Sequence, residues 1–138
     1  MTDKIVALVT CGSRAEANRI ARALVERRLA ACVNVMSAPV RSIYRWKGRV
    51  ETAVEHLLLI KSSKRLLPKL RAAVERLHSY DVPEFIALPI STGSPAYLRW
   101  LEQCVTWSQP KPSRPMNPRK SNSKFEVRNL KPAPAPRR

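Results

Sequence analysis

The chain has 138 residues and carries 26 Lys or Arg against 10 Asp or Glu, a formal net charge of +16. This length fits one folded domain with an appendage, because it lies well below the size at which hydrophobic cores divide. Its three cysteines, Cys11, Cys32 and Cys104, lie far apart and form no Cys-x-x-Cys pair. This pattern argues against a disulfide framework or a zinc knuckle, and we expect a reducing, cytosolic setting.

The amino-terminal segment predicts a strand and then a helix. Its apolar run, Ile5 to Val9, is too short for a secretory signal or a membrane span. The near-continuous run from Lys4 to Thr10 is typical of a central strand buried on both faces. Ser13 and Glu16 have the spacing of a capping box, so we expect both side chains to satisfy backbone amides where the next helix begins.

A long β-hairpin is predicted from Val33 to Lys61, because β-branched and aromatic residues surround a single turn signal at Lys47-Gly48. A two-residue loop there pairs Tyr44 with Glu51 and Val40 with Glu55. Side chains alternate along a strand, so one face of the hairpin collects a mixed aromatic, acidic and basic row. That row consists of Tyr44, Trp46, Glu51, Glu55 and Lys61.

The hairpin is too long for a compact domain of this size. Val33 to Trp46 spans roughly 45 Å at about 3.3 Å per residue, whereas a domain of about 100 residues has a radius of gyration near 13 Å. Ser37-Ala38-Pro39 is the expected bend, since proline cannot donate to a β-ladder. We therefore expect an oligomer held together by this hairpin.

Two helices and one strand complete the folded part. Ser62-Ser63 is the expected cap of a second helix, and Pro68 places the first regular turn of that helix shortly before it. A strand over Phe85–Ile90, flanked by prolines, is expected to be short or at an edge. Ser94-Pro95 begins a last helix. The order β α β β α β α predicts an α+β fold, the ferredoxin-like split β-α-β sandwich, with one additional C-terminal helix.

We assign residues 1–107 to this domain and residues 108–138 to a basic, proline-rich tail. The tail has nine Lys or Arg, one acid, seven prolines and no glycine. Such a composition buries too little apolar surface to offset ordering entropy, so we expect disorder. The charge would suit nucleic acid or an anionic membrane surface, and the alternative is a solvated extension with no dedicated partner.

The folded part resembles the CutA family, the divalent-cation tolerance proteins. The matching segments occur in order over nearly all of the domain: LAACVN at 29–34, SIYRWKG at 42–48, HSYDVPE at 78–84 and YLRW at 97–100. The resemblance implies a subunit similar to the PII signalling proteins, assembled as a homotrimer through its long hairpins. It also implies a role in the response to divalent metal ions, with copper or another divalent cation as a ligand.

The metal ligands that the resemblance implies transfer only in part. The family's paired histidines correspond to Leu77 and His78, and its first-strand cysteine aligns with Thr10. Cys11 is one place further on, where its side chain takes the opposite face of the strand. His78 is therefore the candidate metal ligand, and Cys11 of another subunit is a candidate partner for it.

The hairpin face is a second candidate site. Tyr80 and Glu84 would join its row and complete an inter-subunit cleft for a small anion, a metabolite or a hard cation. The alternative is an ion-pair network that only sets the register of the trimer.

Other function classes have less support. The chain lacks a glycine-rich phosphate loop, and we expect no enzymatic activity. The aromatic Lys/Arg-Gly-Phe signature of RNA-binding sheets is also missing. The runner-up function is a trimeric small-molecule sensor or scaffold whose basic tail recruits an acidic partner.

Overall fold

The structure, a computed structural model, describes residues 1–106. Trp107 and the predicted tail, residues 108–138, lie outside the described part. None of the described helices is long and apolar enough to cross a membrane. In chain order the elements are β1 (Lys4–Cys11), α1 (Arg14–Glu26), β2 (Cys32–Val35), β3 (Val40–Trp46), β4 (Arg49–Ser63), a 3-10 turn (Lys64–Leu66), α2 (Leu67–Leu77), β5 (Ile86–Pro89) and α3 (Pro95–Val105).

The predicted ferredoxin-like architecture is confirmed. The main sheet is antiparallel with the strand order β2-β4-β1-β5, so β1 and β4 are its central strands. Helices α1 and α2 pack on one face, where alternate residues of both central strands are buried. That core includes Ile5, Ala7 and Val9 of β1, Leu58 and Ile60 of β4, Ile20 and Leu24 of α1, and Leu70 and Val74 of α2.

The predicted register of the hairpin is confirmed. Tyr44 pairs with Glu51 and Val40 with Glu55. Lys47 and Gly48 form the two-residue loop with φ values of 50° and 80°, which is the geometry of a type I′ turn. The first arm is not one continuous strand, because residues 36–39 separate β2 from β3 at the predicted bend.

Strand β4 is the longest element, with 15 residues. Its second half, from His56 to Ser63, pairs with β1, and part of that half also pairs with β2. Its first half pairs with β3, from Arg49 to Glu55. We call β3 together with residues 49–55 the outer ribbon, since it extends past the end of β1. Its exposed apolar residues include Ile43, Val50 and Val54.

Two predicted helix caps are only partly present, or absent, in the structure. The Ser13 Oγ accepts from the Glu16 amide at 3.1 Å as predicted, but the Glu16 carboxylate turns away toward the loop after α2. Ser62 and Ser63 are not caps, because the pairing of β4 with β1 continues through both. They are fully buried, and the Ser62 hydroxyl donates to the Leu29 carbonyl at 2.6 Å.

The last elements agree with the predictions made from the sequence. Strand β5 is short and lies at the edge of the sheet. The Ser94 hydroxyl accepts from the Tyr97 amide at the start of α3, and Pro95 is the first helical residue. The predicted position of Pro68 in the first turn of α2 is also confirmed.

Helix α3 is held to the sheet by Glu102. Its carboxylate lies 2.9 Å from both the Lys4 Nζ and the Arg65 Nη2, and accepts from the Thr106 hydroxyl at 2.7 Å. Partial burial works to raise the pKa of Glu102, but hydrogen bonds from Thr106, Lys4 and Arg65 outweigh it and lower that pKa to about 2. Lys4 is itself buried, so the ionised carboxylate stabilises the attachment of the helix.

We therefore expect Glu102→Gln to lower the midpoint of thermal unfolding at pH 7, by roughly 4 °C for each kcal/mol lost. A carboxyl whose folded-state pKa is depressed contributes stability above its unfolded pKa and loses it as the pH falls. The difference between variant and wild type should accordingly shrink from pH 4.5 toward pH 2, followed by circular dichroism. Glu75→Gln, in an exposed pair with Arg71, is the control and should change little. A pH-independent difference would contradict this account.

Candidate functional site

The loop that follows α2 crosses the end of β1, and His78 fastens it there. The His78 ring is buried, and its Nε2 lies 2.7 Å from the Thr10 carbonyl oxygen. Its Nδ1 accepts from the Tyr80 amide at 3.1 Å. Because an amide can only donate, Nδ1 is the unprotonated nitrogen and Nε2 carries the proton that Thr10 accepts. Both ring nitrogens of this neutral histidine are therefore engaged.

Glu16 holds the same loop from the side of α1. Its carboxylate accepts from the Ser79 amide at 2.6 Å and from the Ser79 hydroxyl at 3.1 Å. The Glu16 side chain is only 8% exposed, and its Oε2 lies 3.7 Å from the His78 Nδ1. A buried carboxylate needs such partners, which explains why this glutamate departs from the predicted capping box.

The predicted metal ligands His78 and Cys11 come together within one chain rather than across subunits. With Glu16 they form a buried group that could hold a metal ion, with all three ligand atoms within 4.8 Å of one another. Burial, together with the carboxylates of Glu16 and Glu55, raises the pKa of the Cys11 thiol to about 12. The thiol is therefore protonated at neutral pH, whereas metals bind the thiolate.

As folded, this group fits a resident metal ion poorly. The lone pair of the His78 Nδ1 accepts from Tyr80, and both oxygens of Glu16 accept from Ser79. An ion would have to displace these hydrogen bonds and remove the proton of Cys11. We therefore interpret the group as a structural connection between β1, α1 and the loop.

Tyr80 connects the loop to the outer ribbon. Its hydroxyl donates to the Glu55 carboxylate at 2.8 Å, and Glu55 is only 7% exposed. Burial and this hydrogen bond raise the pKa of the Tyr80 hydroxyl, so it remains a donor. The ring passes over Gly12, where a Cβ would lie 3.0 Å from the hydroxyl oxygen. A glycine at this position therefore permits the close approach.

Two adjoining cavities open between the loop and the outer ribbon. The first, of about 300 Å³, is lined by Tyr44, Trp46, Tyr80, Asp81 and Val82. The second, of about 390 Å³, shares Tyr44 and Val82 with the first. Its other lining residues are Thr10, Ser42, Ile43, Glu55 and Glu84.

The structure brings most of the predicted cleft residues together and leaves two apart. Glu51 lies opposite Tyr44 on the outer ribbon but lines neither cavity. Lys61 lies six residues beyond Glu55 on β4, roughly 20 Å away at the rise of a strand, and its ammonium donates to Asn34. The residues that do line the cavities are Tyr44, Trp46, Tyr80, Glu55 and Glu84.

Sequence reasoning missed two residues of this region. Glu16 carried a signal for a local cap, and nothing in its spacing indicated a contact 63 residues away. Asp81 lies between Tyr80 and Val82 in a segment without periodicity, and only the path of the loop places it in the cavity wall.

We expect Tyr80→Phe to lower the free energy of unfolding by about 1.5–3 kcal/mol, the usual value of a hydrogen bond to a charged group. The physical reason is that Glu55 would lose its donor while remaining buried. Guanidinium unfolding at constant protein concentration measures the change. Tyr44→Phe, at a side chain that is 44% exposed, is the control and should stay within about 0.5 kcal/mol. Equal stability of both variants would show that the bond does not matter.

Comparisons with known proteins agree with the resemblance. The family model described as CutA1 divalent ion tolerance protein matches residues 5–104. The chain is 50% identical over 98 residues to the divalent-cation tolerance protein CutA of Thermus thermophilus, covering 71% of this chain and 94% of that protein. It is 48% identical over 97 residues to Protein CutA of Mus musculus, covering 70% of this chain. It spans only about half of the mouse protein, 54%.

Solved structures give the same result. The divalent cation tolerance protein Cut A1 from Thermus thermophilus has a TM-score of 0.72 at 48% identity, covering 75% of this chain and 99% of that one. CutA1 from Oryza sativa has a TM-score of 0.72 at 42% identity, covering 76% of this chain and 95% of that one. The described fold, the ordered motifs and these matches together show that the chain belongs to the CutA1 divalent ion tolerance family.

Proposed function

We propose that this protein acts as a homotrimer in the response to divalent metal ions. The role is suggested by family membership and by the name of the Thermus thermophilus relative, a divalent-cation tolerance protein. The assembly is suggested by the apolar surface that one subunit leaves uncovered. That surface is the observation that carries the proposal.

The face of the main sheet opposite α1 and α2 is largely apolar, apart from Lys4, Thr10 and Lys61. In this register, the side chains of every second residue of β1, β4 and β5 lie on this face. Ile86 is 47% exposed and Leu88 is 48% exposed. We call this surface the open face, and it includes Val6, Leu8, Leu57, Leu59, Ile86 and Leu88.

The outer ribbon adds further apolar surface and unpaired backbone. Ile43, Val50 and Val54 are 68%, 65% and 60% exposed. An exposed strand edge beside apolar side chains favours association with another chain. Contiguous surfaces of this kind are what an obligate oligomer buries. The open face and the outer ribbon together therefore support assembly of identical subunits, and the resemblance implies three.

We expect sedimentation equilibrium at micromolar concentration to give about three times the chain mass of 15.6 kDa. Leu88→Asp should shift the protein toward single subunits, because a charge in a dry interface lacks a partner. Val25→Asp is the matched control, since Val25 is 41% exposed on α1, on the other side of the sheet. A monomeric wild type would contradict the assembly, and a trimeric Leu88→Asp would contradict the role of the open face.

The proposed response does not require an ion at His78 and Cys11. Copper at that position is a ligand that the resemblance implies, but His78 and Glu16 are engaged in protein hydrogen bonds and burial keeps the Cys11 thiol protonated. We therefore place no step of the proposed function on it.

A cuprous titration against a competing chelator at pH 7 tests this view. We expect His78→Gln and Cys11→Ser to bind copper as the wild type does, because both His78 nitrogens are hydrogen-bonded and burial keeps the Cys11 thiol protonated. Cys104→Ser is the control, with a thiol that is only partly buried. A stoichiometric copper site that both His78→Gln and Cys11→Ser abolish, and that Cys104→Ser keeps, would establish the metal centre instead.

A further inference from the structure

The two cavities beside the outer ribbon have an unexpected charge. Residues 1–106 contain 17 Lys or Arg and nine Asp or Glu, so a lining chosen at random would be basic. The described lining of the two cavities instead includes three carboxylates, those of Glu55, Asp81 and Glu84, and no Lys, Arg or His. This excess of negative charge disfavours the binding of a small anion, which is one of the ligands that the sequence suggests for the cleft.

The charge is only partly neutralised within the subunit. Glu55 accepts from Tyr80, a neutral donor. Partial burial, followed by repulsion from Glu55, raises the pKa of Glu84 above 4.5. Glu55 and Glu84 both line the second cavity, so a cation bound there would be stabilised by the two carboxylates.

The aromatic lining distinguishes between kinds of cation. Three aromatic rings, Tyr44, Trp46 and Tyr80, line the first cavity, and Tyr44 and Trp46 each keep 44% of their surface exposed. The faces of aromatic rings attract cations whose charge is spread over alkyl groups. Hard metal ions instead require six to eight oxygen ligands, and one oxygen of Glu55 is already bonded to Tyr80.

The size also suits an organic ligand. Volumes of about 300 and 390 Å³ lie at the lower end of the range for small-molecule sites. The position is preorganised, because Tyr80 is held by Glu55 and His78 while Tyr44 and Trp46 stand on a paired ribbon.

We propose that these cavities form a binding site for a small organic ammonium ion. The rings of Tyr44, Trp46 and Tyr80 surround the alkylated nitrogen, and the carboxylates of Asp81 and Glu84 supply the opposite charge. All five residues belong to one chain, so the proposal requires no residue of a second subunit and no metal ion.

Choline and its neutral isostere 3,3-dimethylbutan-1-ol test the proposal directly, since the two differ in charge at nearly the same shape. Isothermal titration of the full chain should show choline binding about five- to thirtyfold more tightly, as expected for cation–π and charge recognition. Trp46→Leu and Glu84→Gln should each weaken choline binding at least about fivefold and leave the isostere nearly unchanged.

Thr52→Ser is the control for disturbance of the ribbon. Thr52 is exposed on the ribbon face opposite Trp46, so this variant should bind choline as the wild type does. Equal affinity for choline and the isostere, no binding of either, or an equal loss in Thr52→Ser would each overturn the proposal. Sedimentation equilibrium of every variant shows whether a loss of choline binding is caused by misassembly. Failure of the proposed binding site can then be told apart from failure of the proposed trimer.

Discussion

The register of the outer ribbon is the constraint on which the site depends. Lys47 and Gly48 both have positive φ, and for the lysine this conformation costs about 1–2 kcal/mol. Its benefit is a turn whose twist matches the two strands it joins. With that register Tyr44 and Trp46 face the loop after α2, and Val50 faces the other way. A slip of one residue would exchange these two faces.

The loop that forms the other wall is held by buried polar groups rather than by secondary structure. His78 donates to Thr10, Ser79 donates to Glu16, and Tyr80 donates to Glu55. Every one of these bonds joins the loop to a different element, namely β1, α1 and β4. Removing a single partner would leave a buried polar group unsatisfied, which is the costly outcome. The loop is therefore rigid where it meets the cavities.

The two candidate sites differ in whether their ligand atoms remain available to bind a ligand. The group of Cys11, Glu16 and His78 has the residue types of a metal centre, but His78 and Glu16 already form hydrogen bonds within the fold and burial keeps the Cys11 thiol protonated. The cavities gather most of the hairpin row that the sequence indicates, and they place the carboxylates of Glu55 and Glu84 beside Tyr44 in one lining. Residue types alone therefore do not identify a binding site, because the hydrogen bonds within the fold decide which ligand atoms remain available.

The order of the elements, the hairpin with its turn and register, the edge strand and the helix starts at Ser13 and Ser94 followed from the sequence alone. These features depend on periodicity and on residues whose backbone or capping preferences act over a few positions. Only the tertiary structure decided that Glu16 binds Ser79, that Cys11 meets His78 within one chain, and that Lys61 donates to Asn34. Such contacts join residues distant in the chain, and local preferences carry no information about which distant partner a side chain will reach.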